Sequence, residues 1–216
     1  NDLTETTRDH LKNRMIKFQG KSVKVSSLIE LNEELTPPNI LSVLCSDTEI
    51  EINCKTEVDS LGTFIPRFIK MSKSISDANE IVDAYKLKSS SFLNIEDFIA
   101  KIVNEHSFRK IVLICDAAGS GKTTLLKKIH EKFKEKYDDY WISFISLRDY
   151  VNELSVGVVS NFKEFMIKLL NLNELELTIF SQKLAKGEVK ILFDGYDEIS
   201  HLCKENTLQL FTSFKS

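Results

Sequence analysis

Apolar positions from residue 94 onward follow two spacings, short unbroken runs and helical repeats. Asn94 can cap a helix whose Ile95, Phe98, Ile99, Ile102 and Val103 fall at i, i+3, i+4, i+7 and i+8. The run Ile111-Val112-Leu113-Ile114-Cys115 predicts a buried strand, and a helix to about Tyr137 follows. Residues 141 to 147 predict a second strand. Helices are expected near 161–171 and 174–186, the first with Phe162, Phe165, Met166, Leu169 and Leu170 on one face. Gly187 ends the second helix, as a residue with positive φ would. Val189-Lys190-Ile191-Leu192-Phe193 predicts a third strand, and a last helix spans 204–214. Strands alternating with helices predict a mainly parallel sheet with helices on both faces, its ligand at the carboxyl ends of the strands.

The first 90 residues read differently. Leu11, Met15 and Phe18 would face one side of a first helix, and Pro37-Pro38 looks like the start of another. Thr48-Glu49-Ile50-Glu51-Ile52 alternates like a half-buried strand, and Lys86 to Ser91 forms the expected exposed linker. Residues 1–90 are therefore expected to form a helical or mixed accessory region of unknown role, and residues 91–216 an α/β domain. The 216 residues are 42% hydrophobic and 28% charged, enough for such a domain with a smaller attached region. The net charge of −3 gives no long-range reason to expect nucleic-acid binding. No run of 18 apolar residues and no signal-peptide core is present, so no membrane span is expected. The four cysteines (Cys45, Cys54, Cys115 and Cys203) show neither metal spacing nor a disulfide framework, which fits a reduced cytoplasmic setting. Cys115 is expected to be a small buried hydrophobe of the first strand.

Asp116-Ala117-Ala118-Gly119-Ser120-Gly121-Lys122-Thr123-Thr124 occupies the junction between the first strand and its helix. This is the setting and spacing of a phosphate-binding loop, and it carries the fold to a P-loop NTPase three-layer sandwich. Gly119 and Gly121 let the backbone turn and bring its N–H groups to phosphate oxygens. The helix beginning near Lys122 adds unpaired amides and the positive end of its dipole. Ala118, Gly119, Ser120, Gly121, Lys122, Thr123 and Thr124 are the candidate nucleotide-binding residues. Lys122 would reach the β/γ-phosphates and Thr123 would ligate Mg²⁺. Asp116 stands where such loops usually open with Gly. Its charge either opposes the phosphates or turns away to hold loop N–H groups.

The third strand ends in Asp194-Gly195-Tyr196-Asp197-Glu198, about 70 residues beyond the loop. Asp194 is the candidate Mg²⁺ carboxylate, acting through water, and Asp197 and Glu198 are candidates to orient or deprotonate an attacking water. Together, Gly119 to Leu126 and Ile191 to Glu198 resemble the NACHT NTPase domain of NOD-like receptors, over roughly residues 109–216. Trp141 to Asp149, with its Leu147-Arg148 pair, is similar to the family's second strand, and Phe64 to Phe68 to a segment preceding its nucleotide pocket. The resemblance implies a switch controlled by ATP or ADP with Mg²⁺, self-associating or recruiting other signalling proteins in intracellular sensing or innate immunity. It also implies further strands and a winged-helix module that the 18 residues after Glu198 do not hold, so a domain truncated after the acidic strand is expected, with little hydrolysis of its own.

Two other classes compete with that expectation: a P-loop small-molecule kinase and a non-hydrolysing interaction scaffold. No Arg-rich lid or Asn-Lys-x-Asp guanine signature is present, which disfavours a kinase and a GTPase. Lys127, Lys128, Lys132, Lys134 and Lys136 interleave with Glu131 and Glu135, the pattern of a solvated helix face. His130 on that helix is expected at the surface or half-buried rather than catalytic, and His106 and His201 have no ligand-spaced partner. Arg148 would contact nucleotide or a neighbouring subunit, or form an ion pair with a carboxylate.

Overall fold

Gln19 and Gly20 both adopt positive φ, 51° and 80°. Two such residues in sequence make the tight turn that matches the twist of a β-hairpin. The hairpin pairs β1 (Met15–Phe18) with β2 (Lys21–Lys24) in antiparallel register, Phe18 opposite Lys21. This corrects the expectation that Leu11, Met15 and Phe18 share a helix face. Helix α1 (Glu5–Asn13) stops before Met15; Leu11 is buried on it, Phe18 is buried on the strand, and Met15 is exposed. The strand assignment wins because Ile16 and Phe18 alternate with polar positions opposite Val23.

The computed structural model describes residues 5–31, 36–53, 69–70, 92–104, 112, 114–155 and 162–213. After the hairpin come α2 (Val25–Leu28), α3 (Pro38–Cys45), β3 (Glu51–Ile52), β4 (Ile69–Lys70) and β5 (Phe92–Leu93). Then follow α4 (Ile95–Asn104), α5 (Lys122–Lys136), β6 (Trp141–Ser146), and a short 3₁₀ turn over Leu147–Tyr150. The chain continues through α6 (Val151–Ser155), α7 (Phe162–Leu170), α8 (Glu174–Ala185), β7 (Val189–Asp194) and α9 (Tyr196–Ser213). The protein is thus a mixed α/β fold with small sheets. Their orders are β2-β1-β3, β4-β5 and β6-β7, with β1–β3 and β6–β7 parallel.

Contacts divide the chain into a unit of residues 1–59 with 134–216 and a unit of residues 60–133. The expected division at residue 90 lies outside the described residues. In the first unit, the N-terminal segment and the later α/β elements share one core. Trp141 sits between Phe18 (ring centroids 6.0 Å apart) and Phe180 (5.3 Å). Around them pack Leu11, Leu28, Ile40, Ile145 and Ile179, all nearly inaccessible to water. Trp141 to Ile145 are buried without alternation, as befits a strand covered on both faces. Polar links reinforce the join: Lys183 Nζ donates to Ser27 O and pairs with Glu188, both at 2.8 Å. The amide of Glu30 donates to Gln182 Oε1 at 2.7 Å.

Several local expectations hold. Pro37 precedes α3, Asn94 Oδ1 accepts from the Asp97 amide at 2.7 Å, and Gly187 has φ 75°. Asn173 and Glu176 close a capping box at the start of α8. The strand expected over 48–52 shortens to Glu51–Ile52. The linker at 86–91 and the segment 64–68 lie outside the described residues.

The run 111–115 departs from expectation. Its described residues Val112, Ile114 and Cys115 are not in a strand, and Cys115 is exposed rather than buried. An apolar run becomes a strand only where another strand satisfies its backbone, and no described strand pairs with it.

Candidate functional site

Asp116 to Gly121 form a loop that leads straight into α5, the 15-residue helix headed by Lys122. Gly119 and Gly121 have φ of 71° and 89°, the left-handed region that favours glycine. A Cβ on Gly119 would touch nothing, so backbone conformation rather than crowding calls for glycine there. The Ser120 amide donates to Ala117 O at 3.3 Å, and Leu125 to Gly121 O at 3.0 Å opens the helical ladder. The amides of the first turn fall outside that ladder. Ala118, Gly119, Thr123 and Thr124 are exposed, and Lys122 is half-buried.

The Lys122 ammonium donates to Asp116 O and Ala117 O, both at 3.2 Å. A cation is therefore already folded over the loop, where the negative charge of a bound phosphate would lie. Ser120 Oγ is shut off from solvent and has no hydrogen-bond partner among the described residues. Asp116 takes the second of its two expected roles: its Oδ1 accepts the Ala117 amide at 2.8 Å and holds the turn. These features fit a phosphate group.

The acidic residues are built by β6 and β7. Their parallel register sets Ser146 opposite Asp194 at the carboxyl ends of both strands. Gly195, with φ 80°, then turns the chain so that α9 starts at once. The Glu198 and Ile199 amides bond to Gly195 O at 3.1 and 3.3 Å. Asp197 and Glu198 thus lie in the first turn of a helix, where the dipole favours negative charge. The helix expected over 204–214 begins earlier, at Tyr196, and bends at Cys203. There Thr207 Oγ1 donates to Cys203 O at 2.9 Å, a side-chain bond that competes with the helical ladder.

Asp194 is half-buried; Asp197 and Glu198 are exposed. Glu198 pairs with Arg148 from the turn after β6. The hydrogen bond to Glu198, then its charge, raises the guanidinium above its ordinary pKa. Arg148 thus takes the ion-pair role, with Glu198 rather than Asp149. Among the described residues, no cluster of three or more His, Cys, Asp or Glu is arranged to hold a metal ion. His130 is buried on α5, and Lys128 pairs with Glu131 at 2.7 Å.

Lys21 and Gln19, at the hairpin turn, went unnoticed in the sequence. Lys21 Nζ donates to Lys134 O (2.6 Å) and Glu135 O (3.1 Å) and pairs with Asp138, while Gln19 Nε2 donates to Tyr140 O at 2.7 Å. No local signal joins residues separated by more than 110 positions.

Fold and site together define an α/β protein carrying a glycine loop at a helix start and an acidic turn at a strand end. No protein-family model, curated protein or solved structure matches the chain. Among the described residues, no helix is long and apolar enough to cross a membrane.

Proposed function

We propose that the chain binds ATP or ADP with Mg²⁺ through residues 118–124 and serves as part of a switch NTPase of the NACHT type. The switch would control self-association or recruitment of other signalling proteins in the cytoplasm, in intracellular sensing or innate immunity. The observation that carries this is the loop itself: two left-handed glycines, a helix start, and the Lys122 ammonium drawn across the loop carbonyls at 3.2 Å. On this reading the P-loop sandwich is the parent fold, and the parallel β6–β7 pair supports it in part.

Each residue then has a role its chemistry suits. Loop amides and the first turn of α5 hold phosphate oxygens, and Ser120 Oγ gains the partner it lacks. Lys122 exchanges two carbonyl contacts for phosphate oxygens, a stronger charge-assisted bond. Thr123 offers its hydroxyl to Mg²⁺, and the sequence pattern assigns Asp194 to the ion through water. When bound, Mg²⁺ neutralises phosphate charge. Asp197 and Glu198 are assigned to water, but Glu198 is held by Arg148, which supports slow or no hydrolysis by this chain.

Titration with a fluorescent ADP analogue and Mg²⁺ tests the proposal. Lys122→Ala should weaken binding about 10- to 100-fold, the worth of a charge-assisted hydrogen bond. Binding that is absent in the unsubstituted chain, or unchanged by Lys122→Ala, would refute the assignment.

A further inference from the structure

The final carbonyls of α5 are not left to water. Every helix ends with four C=O groups that lack an intrahelical partner and carry the negative end of the dipole. Here Lys21, from the β1–β2 hairpin, donates to two of them, Lys134 O and Glu135 O, and fixes Asp138 just beyond the helix. Gln19, its neighbour across the turn, holds Tyr140 O. The helix so clamped is the one that Lys122 begins.

We propose that Lys21 is a positioning residue for the phosphate-binding end of α5, acting through the helix rather than touching the ligand. The inference rests on the nucleotide reading given above. Fifteen residues is close to the length at which an isolated helix is marginal in water, so α5 is held by its buried Leu125, Ile129 and Phe133 together with what binds its ends. Phosphate at the first turn and an ammonium at the last both favour the same fully helical state. Each lowers the ordering cost met by the other, which makes their effects mutually reinforcing. The coupling is reciprocal: a partner that draws the hairpin away from α5 would weaken nucleotide binding, and nucleotide would hold the hairpin in place.

The test uses the full chain with Mg²⁺ and the fluorescent ADP analogue, comparing wild type, Lys21→Met and Lys21→Arg. Lys21→Met should weaken ADP about fivefold, the low end of coupling between linked sites, and Lys21→Arg should restore most of the loss. A purely structural lysine would lower thermal stability and leave the affinity of the folded protein unchanged, which would overturn the proposal. Amide hydrogen exchange on wild type supplies a readout that stands even if Lys21→Met does not fold. ADP should slow exchange at Lys134–Lys136 as well as at the loop; protection confined to residues 116–125 would overturn the coupling alone. Absence of ADP binding by wild type would remove the nucleotide reading and the coupling together.

Discussion

Replacing Lys183 with Met removes a charge from a place where water cannot replace it. The lysine side chain is 2% exposed, and its ammonium bonds Ser27 O and Glu188 Oε2 at 2.8 Å. Methionine keeps most of the apolar stem but offers no donor, so the Ser27 carbonyl and the Glu188 carboxylate both lose a partner. A buried acceptor left unmade costs about 1–3 kcal/mol. Glu188 is 28% exposed and regains some water, so the total should be about 2–3 kcal/mol rather than the larger loss of a fully buried pair. Glu188→Leu leaves the cation buried and should cost at least as much. The double variant should cost less than the sum of the two, by about 1 kcal/mol or more, because neither partner is then orphaned. Urea denaturation followed by the fluorescence of Trp141, the single tryptophan, reads this core directly. For a slope of about 2 kcal/mol/M, Lys183→Met should lower the midpoint by about 1 M. A midpoint that is unchanged or raised, or strictly additive single losses, would refute the reasoning.

Two further outcomes follow from the site and from burial. Asp116→Asn keeps an acceptor for the Ala117 amide while removing a charge beside the loop. Because the carboxylate is already turned to the Ala117 amide, ADP should bind within about twofold of the unsubstituted chain, and titration showing binding about fivefold tighter would count against that role. Lys190 lies partly buried beside Gly187 O and over the Tyr140 ring, and burial lowers its pKa below the ordinary lysine value. Between the folded and the ordinary value the unfolded chain binds more protons, so stability rises with pH there. Wild type should accordingly gain on Lys190→Met as the pH rises from about 8 to about 10, read by urea denaturation. Tyr140 is raised chiefly by burial, then by Glu188 and Asp139; it contributes with the opposite sign above its ordinary value, so the comparison belongs below that range. A gap that stays flat or narrows would show that Lys190 is not strained by its burial.

Periodic segments were legible from sequence because their pattern and their packing agree. The helices at 162–170 and 174–185, the strands at 141–146 and 189–194, the Asn94 cap and the Gly187 turn fall close to expectation. The glycine loop and the acidic strand end were legible for the same reason, since each depends on residues within one turn of one another. What escaped was non-local. Val112, Ile114 and Cys115 have the composition of a strand, yet a strand is a property of a pair, and no composition names the neighbour. Met15 and Phe18 fit a helix face as well as a strand until the Gln19-Gly20 turn decides between them. The Arg148–Glu198 pair depends on the register that sets Ser146 beside Asp194, which no spacing along the chain encodes.

The packing of Phe18 against Trp141 also dictates an order of events during synthesis. The buried apolar residues from Leu11 to Ile52 share one core with residues between 141 and 203, which leave the ribosome later. At about 5–20 residues per second, the hairpin and α3 spend several seconds or more without a core to join. Contacts between segments so distant in sequence are slow to form, because chain closure must precede any gain from packing. Until then Ile16 and Phe18 of β1 lack the core that covers them, so this segment gains from chaperone cover during synthesis.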